Sequence, residues 1–325
     1  LGIALLNYDQ AIALTPHLTE SYWNKSLIKL TLGDYELGWE LYEWRWKSSL
    51  KEYVREFSEP LWLGETSISG KTLLIYAEQG LGDVIQFCRY TRMVKDLGAK
   101  IVLEVPSSLV SLMTTLKDDI IITKRGDPFP AFDLQCPIMS LPLAFKTTVE
   151  SIPADVPYLF SDPKKTLKKC LGVKTKKRIG LVCSGAESHK EDTKRSIPLH
   201  LFKPLLDLPF EFHLLQKEIR VTDEAFLAEN SLIQTHQENL VDFSDTAALI
   251  KEMDLVISVD TSVAHLTGAL GCPVWILLPW KAEWRWLLDR TDSPWYPSAT
   301  LFRQPGMGDW DGVIADIYQR LNNND

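Results

Sequence analysis

Asp260-Thr261-Ser262-Val263-Ala264-His265-Leu266 has the make-up of a ligand-binding junction. The five residues before it, Leu255 to Val259, form an apolar run of strand length, and Asp-Thr-Ser ends that run where a helix can be capped. Gly271-Cys272-Pro273 then closes the short helix before a second apolar run, Val274 to Leu278. This reads as a βαβ crossover with polar side chains at its carboxyl edge. A helix amino terminus there offers unpaired N–H groups and the positive end of a dipole, which suits an anion such as the phosphates of a nucleotide. The Asp260 carboxylate could cap the helix or position such a ligand. His265, one turn in, could reach ribose or phosphate, or be a satisfied interior histidine.

A second junction of this kind lies about 180 residues earlier. Thr72 to Ala77 reads as a buried strand, Glu78-Gln79-Gly80-Leu81-Gly82-Asp83 as a tight loop, and Val84, Phe87, Cys88, Thr91, Val94 and Leu97 fall at helical spacing up to Gly98. At the edge of a cleft, the Asp83 carboxylate could take a proton from an attacking hydroxyl; as plain architecture it would be the N-cap of a helix starting at Val84. A third loop, Ser184-Gly185-Ala186, follows the strand Arg178 to Cys183 and leads to Asp192-Thr193-Lys194-Arg195-Ser196. Arg195 offers a planar fork suited to phosphate, or a surface salt bridge. Near the end of the chain Trp280, Trp284, Trp286, Trp295 and Tyr296 crowd around Lys281, Glu283, Arg285 and Arg290. Rings beside charges could form a sugar or base wall, with Trp280 and Trp284 foremost, or could be buried packing. No His, Cys, Asp or Glu cluster has metal-ligand spacing, so no obligatory metal is expected.

The elements that must position these groups alternate. Between Lys71 and Phe160, strands are expected at 101–105, 120–122 and 132–136, with a short helix over 109–116. Residues 161–176 are polar and rich in lysine, suited to a helix and linker. Later strands are expected at 212–215 and 240–242. After Asp309, Trp310, Val313, Ile314, Ile317, Tyr318 and Leu321 make one face of a final helix that could pack back across the domain junction. Short connections between buried strands and helices argue for α/β layers, with two units facing one another across a cleft. Residues 1–50 differ, being helical throughout. From about Leu18 their spacing, with Gly33-Asp34-Tyr35 at the turn, resembles the tetratricopeptide repeat. Trp39, Trp44 and Trp46 could there form a peptide-binding surface or pack against the next domain.

With 325 residues the chain exceeds the usual size of one domain. Its 35 Lys+Arg against 43 Asp+Glu make it mildly acidic, which argues against a nucleic-acid partner. The lysines between Lys164 and Lys177 read as a solvated face. Cys88, Cys136, Cys170, Cys183 and Cys272 are odd in number and scattered, which favours a reducing, cytoplasmic setting. No apolar run reaches the length of about 18 residues that a membrane span needs. Leu1-Gly2-Ile3-Ala4-Leu5 looks like an interior helix turn, so the chain is expected to begin inside a longer protein.

Taken in order, Gly80-Leu81-Gly82-Asp83, Ser184-Gly185-Ala186 with Asp192 to Ser196, and Asp260 to Leu266 resemble the heptosyltransferase-like glycosyltransferases of family 9, in the form attached to bacterial tetratricopeptide repeats. The resemblance covers roughly residues 70 to 320. It implies the GT-B fold: two Rossmann-like domains, the first holding the acceptor and the second a nucleoside-diphosphate sugar donor. The implied reaction is an inverting, metal-independent displacement at the anomeric carbon onto a glycan or protein acceptor. By the motif match Asp83 falls at the catalytic base, Lys194 or Arg195 at the basic residue that meets donor phosphate, and Gly82, Ser184, Gly185, Asp260, Thr261, Ser262 and His265 on the donor side. The pattern departs at Cys183, where an aromatic often stands, and in the charged loop Glu187 to Glu191.

The resulting organisation is 1–50 repeat helices that could hold a protein partner, 51–162 acceptor domain, 163–176 linker, 177–308 donor domain and 309–325 closing helix. A second reading keeps the fold and discards turnover: a nucleotide-binding or protein-interaction scaffold. A nucleotide-sugar epimerase or dehydrogenase fits less well, because Gly80-Leu81-Gly82-Asp83 lacks the third glycine of a dinucleotide fingerprint and no Tyr-x-x-x-Lys pair follows suitably.

Overall fold

The structure is a computed structural model that describes residues 1–116, 119–165, 171–188 and 191–323. Part of the lysine-rich linker, Cys170, and His189 and Lys190 of the charged loop lie outside the described residues. Three helices open the chain: α1 (Gly2–Leu14), α2 (Thr19–Thr31) and α3 (Tyr35–Tyr42). Alpha-helix α3 turns Tyr35, Trp39 and Tyr42 inward, and the Trp39 indole donates to the Thr147 carbonyl at 3.1 Å. Of the three tryptophans that could have faced a peptide, Trp39 is therefore buried packing, while Trp44 stacks on Tyr22 with ring centroids 3.9 Å apart.

Two parallel sheets follow. The first contains β1 (Thr72–Tyr76), β2 (Lys100–Val105), β3 (Ile120–Lys124) and β4 (Leu134–Pro137), in the order β3-β2-β1-β4. The second contains β5 (Arg178–Val182), β6 (Glu211–Leu214), β7 (Ile233–Thr235), β8 (Leu255–Val259), β9 (Val274–Leu278) and β10 (Ala299–Arg303), in the order β10-β9-β8-β5-β6-β7. Strands covered on both faces must be apolar along their whole length, as Val274-Trp275-Ile276-Leu277-Leu278 is. Alternate residues of β9 feed different cores: Val274, Ile276 and Leu278 join a core shared with α3 and the first sheet, and Leu277 joins a second core.

Several expectations need correction. The helix expected from Val84 to Gly98 is two, α4 (Leu81–Phe87) and α5 (Tyr90–Asp96). Their break is held by side chains that take over backbone carbonyls: Arg89 Nε donates to Gln86 O at 2.8 Å, and the Tyr158 hydroxyl to Ile85 O at 3.0 Å. Residues 240–242 are not a strand. Asp242 caps the helix Phe243–Ile250, accepting from Ser244 N at 2.8 Å while Asp245 accepts from the Asp242 N–H at 3.0 Å. The final helix, Trp310–Asn322, is capped by Asp309 as expected. Its apolar face lies in the second core with Phe202, Leu205 and Phe302, a cluster whose buried members all lie at or beyond Ile179.

The second sheet also carries a buried histidine pair. His213 on β6 and His236 after β7 are 3.0 Å apart, Nδ1 to Nε2. Burial, then His236 and Arg178, pushes the His213 pKa down to about 4 from 6.5, and burial also lowers that of His236. The folded protein keeps both rings neutral where the unfolded chain would bind protons. Their contribution is therefore complete above about pH 6.5 and is lost as the pH falls toward about 4. Thermal midpoints measured across that window should fall with falling pH, and the double substitution His213→Gln/His236→Gln should flatten the slope. An unchanged slope would remove the pair as its source.

Candidate active site

Each sheet reverses its strand order beside a strand whose carboxyl end leads to a predicted site residue. In the first sheet that strand is β1, flanked by β2 and β4; in the second the switch lies between β5 and β8. Crevices outside such switch points are where α/β sheets hold ligands. Here the two edges touch. A Cβ added at Gly82 would come within 2.9 Å of His265 Cδ2, so the bare backbone of α4 lies directly against the helix Ser262–Ala269.

From β1 the chain runs through Ala77 to Gly80, and α4 begins at Leu81 rather than Val84. Asp83 is thus not the N-cap but the third residue of the helix. Its Oδ2 accepts from the Gly80 N–H at 2.7 Å, while Oδ1 accepts from the guanidinium of Arg285. Arg285 comes from the segment after β9. It also donates from Nε to Gln86 Oε1 at 2.6 Å, pairs with Glu283 at 2.5 Å and lies 4.3 Å over the Trp284 ring. Burial works against its charge, and Glu283 and Asp83 more than offset that, holding the guanidinium above its ordinary value. The Asp83 side chain is 16% exposed and that of Glu283 47%, so the cluster opens to solvent on the Glu283 side.

From β5 the loop passes Ser184 and Gly185. Gln216 fixes it, accepting from the Cys183 N–H at 3.0 Å and donating to Ser184 Oγ at 3.0 Å. The Arg195 guanidinium covers Gly185 and donates to the Asp260 carbonyl at 2.9 Å. Lys194 does not join this site; it turns outward and pairs with Glu191 on the surface.

From β8, Asp260 and Thr261 lead into the helix Ser262–Ala269, whose N-cap Thr261 makes no side-chain capping bond. Asp260 Oδ2 accepts from the Trp286 indole at 2.8 Å, and Oδ1 is 3.8 Å from His265 Nε2. His265 stacks on Trp286, centroids 5.5 Å apart, and its Nδ1 is 2.9 Å from the Tyr296 hydroxyl. Only glycine fits at position 268, because a Cβ there would be 2.4 Å from the Tyr296 ring. Burial, reinforced by Glu283, raises the Asp260 pKa to about 6, against the pull of the Trp286 N–H and of Arg285 and Arg195. Burial drops the His265 pKa well below its usual value, and the three nearby arginines Arg285, Arg89 and Arg195 push the same way. The ring is neutral at physiological pH.

The structure therefore brings together Gly82, Asp83, Ser184, Gly185, Arg195, Asp260, Thr261, Ser262 and His265, and leaves out Lys194. Trp284 is not a ligand wall. It is 3% exposed and packs edge-on against Trp39 at 5.2 Å. Trp280 is 58% exposed, with its backbone N–H on Gln304. Sequence reasoning missed Arg285, Trp286, Tyr296 and Gln86 as site residues. Arg285, Trp286 and Tyr296 belong to the crowd of rings and charges at 280–296, which did not say which member faces inward, and nothing in the sequence marked Gln86. Among the described residues no group of three or more His, Cys, Asp or Glu side chains is placed to hold a metal ion, and no helix is long and apolar enough to cross a membrane.

No family model matches the chain. It is 26% identical to Protein FlbA of Caulobacter vibrioides, an alignment that takes in 98% of this chain and spans 64% of that protein's length. Among solved structures it is similar to the glycosyl transferase family 9 protein of Veillonella parvula, with a TM-score of 0.58 at 9% identity over 79% of this chain and 97% of the other. It is also similar to the ADP-heptose LPS heptosyltransferase II of E. coli, with a TM-score of 0.52 at 12% identity over 78% of this chain and 98% of the other. The two parallel sheets thus match the GT-B glycosyltransferase fold.

Proposed function

We propose that this chain is a glycosyltransferase that moves a sugar from a nucleoside diphosphate to a glycan or protein acceptor, with inversion and without an obligatory metal. The observation that carries the reading is the meeting of the loop after β1 with the loop after β8, which sets Gly82, the neighbour of Asp83, against the helix that begins at Ser262. In this reading the donor lies on the second unit. Its diphosphate faces Gly185, Arg195 and the first N–H groups of that helix, and His265 and Trp286 bound the sugar or ribose. The acceptor hydroxyl approaches from the first unit. Asp83 takes its proton as the new bond to the anomeric carbon forms; the bond to the leaving diphosphate breaks on the opposite face, its electron pair stays on the diphosphate oxygen, and Arg195 and the helix terminus stabilise the charge that develops there. The structural relative from E. coli is by name an ADP-heptose enzyme, which makes ADP-linked sugars the first donors to try. The boundaries follow: helices 1–50, an acceptor domain 51–162, a linker 163–176 and a donor domain 177–308, in a cytoplasmic, bacterial setting.

One observation favours a second reading. Both Asp83 oxygens accept hydrogen bonds, one of them from a buried arginine, as they would in a nucleotide-binding scaffold without turnover. Calorimetric titration with ADP, GDP, UDP and CDP, each with and without magnesium, tests the donor site common to both. The expected result is metal-independent binding with a preference of about tenfold or more for one base. No binding to any of the four would overturn the donor site, and tight binding without transfer in donor and acceptor panels would favour the scaffold.

A further inference from the structure

We infer that Arg45 is a positioning residue of the catalytic centre: through Glu78 it fixes the loop that presents Asp83, so that the N-terminal helices complete the site instead of standing beside it. The inference rests on the role proposed for Asp83. Arg45 lies in the 3-10 helix Glu43–Lys47 directly after α3, and its side chain is 0% exposed. Its Nε and Nη2 donate to the two oxygens of Glu78 at 2.8 and 2.9 Å, a fork on a carboxylate that is itself 2% exposed. The remaining donors are spent on Glu43 at 2.6 Å, the Tyr42 carbonyl at 3.2 Å and Ser140 Oγ at 2.7 Å. Glu78 Oε1 also accepts from the Met139 N–H at 3.0 Å. The next residue is held by the same segment, because Gln79 Nε2 donates to the Tyr42 hydroxyl at 3.0 Å. Gly80 then caps α4, and Asp83 stands three residues further on.

A buried ion pair is weak grounds for stability, since desolvating two charges offsets most of their attraction. A planar two-bond fork does give direction: it sets the position of a carboxylate in a way a point charge cannot. The segment braces the opposite side as well. Trp39 and Tyr42 pack edge-on against Trp284 at 5.2 and 6.2 Å, and Trp284 carries Arg285 on its ring. Both sides of the Asp83 carboxylate are thus supported by the first fifty residues.

The test is the double substitution Arg45→Met/Glu78→Met, which removes both charges together and leaves no lone ion buried, with Arg45→Lys beside it. Amide hydrogen exchange over residues 78–84 is the primary readout, because it reports the loop whether or not turnover is detected. The double variant should exchange about tenfold faster there while keeping its nucleotide affinity and thermal midpoint. Arg45→Lys, which keeps the charge and loses the fork, should show the same change to a smaller degree, and it carries the test if the double variant does not fold. Where transfer is measurable, kcat should fall about tenfold or more with the donor KM unchanged. Wild-type protection over 78–84 in the variants, or an unchanged kcat, would overturn the inference. Failure of the glycosyltransferase reading would look different: no transfer by the wild type that depends on Asp83, with loop exchange still responding to Arg45.

Discussion

Asp83→Asn should bind nucleotide as the wild type does and lose about a thousandfold of its transfer rate, within the range of about 10²–10⁴ that a positioned general base supplies. The substitution is close to isosteric. The Asn oxygen can keep the bond from the Gly80 N–H, so α4 should still begin at Leu81. What is lost is the capacity to take a proton and the negative charge facing Arg285. That arginine keeps Glu283 at 2.5 Å and Gln86 at 2.6 Å, so the fold should survive its lost partner. Nucleotide contacts proposed on Gly185, Arg195 and the Ser262 helix lie on the other unit and should not change. Initial rates with the preferred donor and calorimetry on the same preparation separate the two effects. An undiminished rate would remove Asp83 as the base. A parallel loss of binding and rate would instead make it a structural residue of the junction.

Most of the scaffold was legible because it is local. β1, β2, β5, β8 and β9 are largely apolar runs, closed by Pro106 after β2, by Asp260 after β8 and by Pro279 after β9, and covered parallel strands must read that way. β10, Ala299-Thr-Leu-Phe-Arg, was not seen because its mixed polarity makes no run; its place is set by pairing with β9. Leu240-Val241 looked like a strand for the opposite reason. Two apolar residues outweighed Asp242 and Asp245, whose spacing in fact starts a helix. The site divides in the same way. Asp83, Asp260, Thr261, Ser262 and His265 stand where a strand hands over to a helix, a position that sequence order marks. Arg285 reaches Asp83 across 202 residues and Tyr296 reaches His265 across 31, contacts that only tertiary packing creates. Of neighbouring tryptophans, Trp284 is taken by α3 and Trp286 by His265, a choice made by α3 and not by the 280–296 segment.

Asp260→Asn should make the protein more stable above about pH 6 while slowing transfer. The folded-state pKa of Asp260, about 6 against 3.8 for an unperturbed carboxyl, means that the folded protein holds this proton more tightly than the unfolded chain. A raised pKa contributes stability in full below about pH 3.8, and the contribution is gone once the pH has risen through about 6. Above that, keeping the buried carboxylate ionised costs stability, on the order of a kcal/mol or more. The neutral amide escapes the cost, and its oxygen can still accept the Trp286 indole N–H. Wild type and variant both carry His213 and His236, so the acid-side loss due to that pair cancels in the difference between their thermal midpoints. That difference should be near zero at pH 4 and open in favour of the variant by pH 8. A variant less stable than wild type at pH 8 would mean that Trp286, Arg285 and Arg195 stabilise the ion more than burial penalises it. In the proposed transferase, a carboxylate kept charged at a cost, against a neutral histidine and two arginines, is stability given up for chemistry. The accompanying loss of transfer, without which Asp260 would be a mere liability of the fold, is the half of the prediction that ties the cost to function.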